Sequence, residues 1–322
     1  MFELLLDNKN GYVWDMSELV HSISWKTSRI GRASSLEFSF IKGALYQNTG
    51  FTYNNGDIIR FRKDGRNVFY GYVFTIEDGR DESVKITAYD QLRYLMSNDT
   101  YVFSNTTATK VIQQITKDYE LKTGALADTG YTIPSMVEDS KKVFDIVCKA
   151  LDLTLIATKR NYVLYDDFGS LTLRNINDMR VDIAIGDDSL MYDYEHKRTI
   201  DQETANQVKL VQDNKKTKKR DVYIARDSAN IKRWGKLQHY DKVDEKMNSA
   251  QINEVLNNLL ANMNRELQTL KVTALGDLRI RAGCFVPIVI EEQKISQYFL
   301  VDECTHNFDG AEHTMTIELK VI

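Results

Sequence analysis

Three cysteines and five histidines are the residues of this 322-residue chain with the chemistry for nucleophilic attack or soft-metal binding. Cys148, Cys284 and Cys304 show no C-x-x-C spacing, so neither a zinc site nor a disulfide framework follows from them. A cysteine hydrolase needs a thiol polarised by a histidine that a third group orients. Cys148 instead borders the apolar stripe of a predicted helix, VFDIVCKAL. Cys284 and Cys304 fall in predicted strands, where a free cysteine packs as a small apolar side chain. Of His21, His196, His239, His306 and His313, only the last two are close in sequence. Across a hairpin, THNFDGAEHT could bring His306 and His313 together as metal ligands, with Asp302, Asp309 or Glu312 as the third. Lacking helical or C-x-x-C spacing, they are expected instead to be surface side chains flanking a turn.

Paired carboxylates are the other candidate chemistry. Asp166-Asp167 and Asp187-Asp188 are adjacent, and neighbours on a strand point to opposite faces, so neither pair is expected to flank one glycosidic bond. GDLRIRAG lacks the Lys-Ser/Thr of a phosphate loop and reads as strand. The basic run Lys215–Arg220, KKTKKR, is expected to be a solvated hairpin tip rather than a binding site for DNA or an acidic surface. No catalytic residue, cofactor ligand or metal ligand is expected.

The composition agrees with a structural part. A formal charge of -4, from 42 basic and 46 acidic side chains, provides no field for gathering phosphates, and nucleic acid is not an expected partner. Hydrophobic residues at 43% and charged residues at 27% fit a soluble globular chain, and 17 tyrosines with only two prolines favour strands. MFELLLDNKN has an acidic residue where a signal peptide carries Lys or Arg. No apolar run reaches the ~18 residues that span a bilayer. Synthesis and folding in the cytoplasm are expected.

Periodicity then places the elements. Leu36, Phe38 and Phe40 share one strand face, and residues 56–89 read as three strands with turns at Asp64-Gly65 and Asp78-Gly79. Residues 1–98 are expected to form a first antiparallel β-barrel. Residues 99–190 read as an α+β domain. Its first helix is capped by Thr106 or Thr107 and buries Val111, Ile112 and Ile115; its second follows Ser140 and buries Val143, Phe144 and Val147. Strands LTLIA, YVLYDD and SLTLR are expected after it. Residues 191–215, with the strand NQVKLV, and 271–322 are expected to form a second barrel. Residues 216–270 would be a helical insertion that opens on the strand DVYIA, joined to NQVKLV by the loop QDNKKTKKR, and whose long helix runs from about Asn248 to Leu270, its apolar stripe covering the protein's own sheet. The fold class is α+β, mainly β.

The two β regions align. Gly56 falls on Gly283, Ile58, Ile59 and Phe61 on Phe285, Val286 and Ile288, and Tyr72 to Phe74 on Phe299 to Val301. Asp78-Gly79 matches Asp309-Gly310, and Val84, Ile86 and Ala88 match Met315, Ile317 and Leu319. The chain reads as an internal repeat.

GYVFTIEDGRDESVKITAYDQLRYL, the helix-then-hairpin from TATKVIQQI to NYVLYDDFG, ARDSANIKRWGKLQHY, LQTLKVTALGDLRIRAG and FLVDECTHNFDGAEHTMTIEL, in this order, resemble the baseplate hub proteins of contractile-tailed phages, defective prophages and R-type bacteriocins, which belong with the late control protein D group. The resemblance spans essentially the whole chain. It implies small β-barrels decorated with α+β and helical pieces, and a homotrimer. Two barrels per subunit would then give six similar surfaces around the tail axis. Such a trimer would be a structural baseplate hub, matching a sixfold tail tube or tube-initiator protein above to a threefold central spike below, beside other baseplate proteins, in a virion or tail-like particle and away from any membrane. The alternatives are a tail-associated cell-wall hydrolase and the spike-hub of a contractile secretion system. The latter normally continues into a needle, whereas this sequence stops at Ile322, so a separate spike polypeptide is expected.

Overall fold

The computed structural model describes residues 2–43, 48–80, 82–201, 203–214, 219–243, 245 and 247–320. These form two compact units, one of residues up to 195 together with 271–320, the other of residues 196–270. The strands are mainly antiparallel and outweigh the helices.

The first unit is built on one hydrogen-bonded sheet of 13 strands. Strands Ile58–Lys63, Arg66–Asp78 and Ser83–Tyr89 make one antiparallel meander; Phe285–Ile290, Ile295–Asp309 and Glu312–Lys320 make another. They belong to the same sheet because Val20–Ser28 pairs with Ile295–Asp309 on one side and with Ser35–Ile41 on the other. The period-two apolar pattern has its expected outcome: Leu36, Phe38 and Phe40 are buried, as are Ile86, Ala88, Ile317 and Leu319. Phe308, from near the end of the chain, lies in the cluster that contains Leu4, Phe61 and Phe69.

The aligned segments share backbone detail. Gly56 and Gly283 have φ of +89° and +91°. Gly56 N donates to Val73 O at 2.7 Å and Val73 N to Asp57 O at 2.9 Å; Gly283 N donates to Val301 O and Val301 N to Cys284 O, both at 2.9 Å. Each meander has an irregularity immediately afterwards, between Val73 and Thr75 and between Val301 and Glu303. The partner of Val73 is therefore Val301, one residue beyond the sequence alignment, because the second hairpin turn holds more residues between its strands.

Helices Ala108–Asp118 and Val143–Thr158 pack with strands Tyr162–Asp166 and Leu171–Asn175 around Ile112, Phe144, Val147 and Leu164. Thr107 is the N-cap of the first, its hydroxyl accepting from Lys110 N. LTLIA is not a strand: it is the last part of the second helix, with Ile156 on the exposed face and Thr154 bonding back to Ala150 O. A five-residue apolar run does not distinguish buried strand from helix end.

The second unit differs from expectation in its strands. Gln207–Asn214, expected in the second barrel, pairs with Lys219–Arg226 and Gln238–Lys242 in a separate three-stranded sheet. The strands NQVKLV and DVYIA pair with each other as expected, and the segment 216–270 holds a further strand, Gln238–Lys242, as well as helices Ser228–Trp234 and Ser249–Met263. The latter helix is closed by an Asn248/Gln251 capping box and stops at Met263, short of Leu270. Beyond it Leu270, Val272 and Ala274 are buried at alternate positions of the strand Leu267–Leu275, a period of two rather than 3.6. Ile252 and Leu256 cover Val208 and Leu210.

Candidate functional site

The hairpin that ends at Glu312–Lys320 does bring two histidines together. His306 Nδ1 lies 2.9 Å from His313 Nε2, and His306 Nε2 lies 2.8 Å from Ile280 O and 3.3 Å from Cys304 Sγ. Only one tautomer satisfies both nitrogens of a neutral ring: Nε2–H donates to the carbonyl and Nδ1 accepts from His313. His306 is not a surface side chain. It is 0% exposed, stacked between Trp25 and Phe308. Its position alternates in phase with Cys304 and Phe308, which puts all three on the core face. Burial pushes its pKa down to about 4, and burial also lowers that of His313. Neither nitrogen of His306 is left for a metal, and Asp302 is bound to Arg29 at 2.8 Å. Among the described residues no metal-ligand set of three or more His, Cys, Asp or Glu side chains forms.

Asp166 has a carboxylate neighbour, but it is Asp90 rather than Asp167. Both are buried, and burial raises the pKa of each. Asp90 accepts from Ser34 N and Leu92 N, the latter capping the short helix Gln91–Met96; Asp166 accepts from Gln91 Nε2 at 3.0 Å. The space they share with Arg281 is about 10 Å³, room for about one water and for no substrate. Distant segments supply the pair, so no local spacing could announce it. Asp187 accepts from Glu291 N at 2.8 Å, which fixes a turn.

The thiols lie where packing puts them. Burial pushes the pKa of Cys148 up to about 11 and raises those of Cys284 and Cys304. His21 and His239 belong to separate sheets, and His196 meets Gln268 at 3.3 Å. Residues 215–218 of the basic run lie outside the described residues. Lys219 and Arg220 open a strand, with Arg220 Nε held by Asp213 at 2.9 Å.

What the first unit does present is sheet edge. The joint between the two β regions is a seven-pair ladder from Glu303↔Ser28 to Asp309↔Ser22, with Lys26 bound to Glu303 at 2.5 Å and Arg29 to Asp302. At one end of the same sheet the strand Met191–Thr199 has, among the described residues, a neighbour on one side only.

The model of the YQBQ-like family matches residues 23–320. The chain belongs to that family. This YQBQ-like chain is 32% identical over 306 residues to the phage-like element PBSX protein XkdQ of Bacillus subtilis, covering 94% of this chain and 93% of that protein. It is 33% identical over 274 residues to YqbQ of the same organism, covering 84% and 82%. Among solved structures, the 43 kDa tail protein of prophage MuSo2 from Shewanella oneidensis superposes with a TM-score of 0.71 at 13% identity over 98% of both chains. A tail protein from Neisseria meningitidis does so at 0.71 and 12%, over 99% of this chain and 96% of its own. The YQBQ-like chain therefore has the fold of prophage tail proteins and a homologue in a phage-like element. The resemblance read from the sequence is met at the level of family and fold.

Proposed function

We propose that this chain is the structural hub of a contractile tail baseplate, a non-enzymatic subunit of a homotrimeric ring that adapts a sixfold tail tube to a threefold central spike. The observation that carries this is the repeated meander. Gly56–Val73 and Gly283–Val301 make the same hydrogen bonds around glycines of the same φ, so one chain holds two similar β modules. Three chains would then offer six similar surfaces to a tube and three dissimilar ones to a spike, which is what a closed junction between those symmetries requires. The modules are two small barrel-like halves of one sheet, and the tube, the spike and other baseplate proteins are their partners. The buried, hydrogen-bonded state of His306, Asp90 and Asp166 supports a scaffold: each is held by its neighbours instead of facing a cleft.

Mass photometry of the purified chain, alone and with its cognate spike protein, tests the reading. The expected result is a species of three chains that binds one spike trimer. A chain that stays monomeric in both mixtures overturns it, and so does release of muropeptides when the protein is incubated with peptidoglycan.

A further inference from the structure

The two meanders differ in how the long middle strand is covered. In the second, Leu300 pairs with Phe285 on one side and Lys320 on the other. Beyond Leu300, the side that Phe285–Ile290 has left is taken by Val20–Ser28, from Glu303 onward. In the first meander, Tyr72 pairs with Ile58 on one side and Tyr89 on the other. Beyond Tyr72, among the described residues, no strand covers the corresponding side of Thr75–Asp78. Thr75, Glu77 and Asp78 are exposed there. An unpaired edge of this kind is a template for another strand.

The counterpart of Val20–Ser28 in the second repeat is Met191–Thr199. Val20–Ser28 lies beside Ser35–Ile41, which pairs with Ser83–Tyr89; Met191–Thr199 lies beside Leu267–Leu275, which pairs with Glu312–Lys320. Lys42 N bonds Glu82 O at 2.9 Å and Gly276 N bonds His313 O at 2.7 Å, which aligns the second strands; Leu275 N then bonds Leu190 O, in the place that Leu19 holds opposite Ile41. Exposure rises and falls in step from Val20 to Lys26 and from Met191 to Lys197, and diverges at Thr27, buried, and Arg198, exposed. Val20, Ile23 and Trp25 are buried, whereas Met191, Tyr194 and His196 at the same places are half-buried. Among the described residues, Val20–Ser28 has a strand on each side and Met191–Thr199 ends the sheet.

We propose that Met191–Thr199 of one copy adds as an antiparallel strand to the Thr75–Asp78 edge of the next, repeating between chains the joint that Val20–Ser28 makes with Ile295–Asp309 within one. The inference rests on the trimeric hub reading and states how its ring closes: each chain supplies one internal joint and one external joint. Charge supports the second copy as the occupant. The internal register sets Thr305 opposite Lys26 and His306 opposite Trp25. Carried to the external joint, it sets Glu77 opposite Lys197 and Asp78 opposite His196. Within the matched stretch the edge carries Glu77 and Asp78, the latter also held by Lys42 at 3.4 Å, and the arriving strand carries Lys197 and Arg198, so opposite charges face each other across the new ladder at Glu77 and Lys197. The contact is heterologous, joining different surfaces of the two copies, and it closes only as a ring.

Directly opposed strand residues have Cα atoms about 4.5–5.5 Å apart, within reach of a disulfide. The full-length double variant Glu77→Cys, Lys197→Cys, oxidised and run without reductant, is expected to give covalent dimers and trimers and nothing larger. Each single variant should give neither, because Cys284 and Cys304 are buried and Cys148 is half-buried. Charge reversal is the second arm: Glu77→Lys and Lys197→Glu each shift the trimer toward monomer in mass photometry, and the two together restore it. A trimer that forms without cross-linking, and is indifferent to both reversals, overturns the strand addition and leaves the hub reading standing. A covalent ladder that runs past three upholds the strand addition and overturns the threefold ring.

Discussion

His306 and His313 meet nitrogen to nitrogen at 2.9 Å, the first ring inside the sheet core and the second half-buried at its rim. The pair needs His306 neutral. If His306 were protonated, Nδ1 would carry a hydrogen facing the one that His313 donates, and a charge would sit between Trp25 and Phe308.

This sets a pH dependence with a definite sign. The His306 pKa is about 4 in the folded chain against about 6.5 when unfolded, so the unfolded state takes up a proton first. The contribution is complete above about pH 6.5 and is lost as pH falls toward 4. Thermal melts at half-unit steps from pH 7.5 to 4.5 should show Tm falling across that window. In His306→Phe the fall should be smaller. The variant should also be less stable at pH 7.5 by about 1–3 kcal/mol, since Ile280 O loses its buried donor.

Thiol chemistry should be nearly silent in the native state. Burial raises the pKa of all three cysteines, so little thiolate exists at pH 8. With an aromatic disulfide reagent, three thiols should react rapidly in urea. In buffer only a slow phase is expected, from Cys148, which Cys148→Ser removes. A fast native phase would show a thiol outside its assigned packing.

The second unit has a small core, and its loss should be local. Ile252 is fully buried against Val208 and Leu210, so Ile252→Ala should cost about 2–5 kcal/mol there. Hydrogen exchange read by mass spectrometry should show faster exchange in Ser249–Met263, while Ser35–Ile41 stays protected.

How far the residues themselves announced this structure depends on the range of the contacts. The strand faces of Leu36–Phe40 and Val84–Ala88 and the Thr107-capped helix are set by neighbours in sequence, and period and capping find them. The end of the long helix at Met263 was harder, because Leu267 and Leu270 fit both a helical stripe and a strand face. What decides is the strand beside them. Non-local pairing also explains the sites. His306 reads as a turn-flanking side chain until Trp25 and Ile280, from far along the chain, are laid against it, and Asp166 finds Asp90 rather than its own neighbour. The helix–strand ambiguity of LTLIA has the same origin: its surroundings, not its composition, set the period.

The glycine pair gives the repeat its own energetic test. Gly56 and Gly283 share a φ near +90°, which L side chains rarely adopt, so alanine should cost backbone strain of about 1–3 kcal/mol at either place. Their surroundings then separate them. A Cβ at Gly56 would meet nothing within 4 Å, whereas one at Gly283 would lie 3.0 Å from Val163 Cγ1, in the strand Tyr162–Asp166. Gly283→Ala should therefore lower the urea midpoint more than Gly56→Ala. Pairing it with Val163→Ala should recover the difference in part, because the shorter side chain relieves the contact but not the dihedral. Equal losses at the two glycines, unchanged by Val163→Ala, would mean that only the shared backbone turn matters. A loss at one glycine alone would mean that the two turns, alike in hydrogen bonding, are not alike in strain.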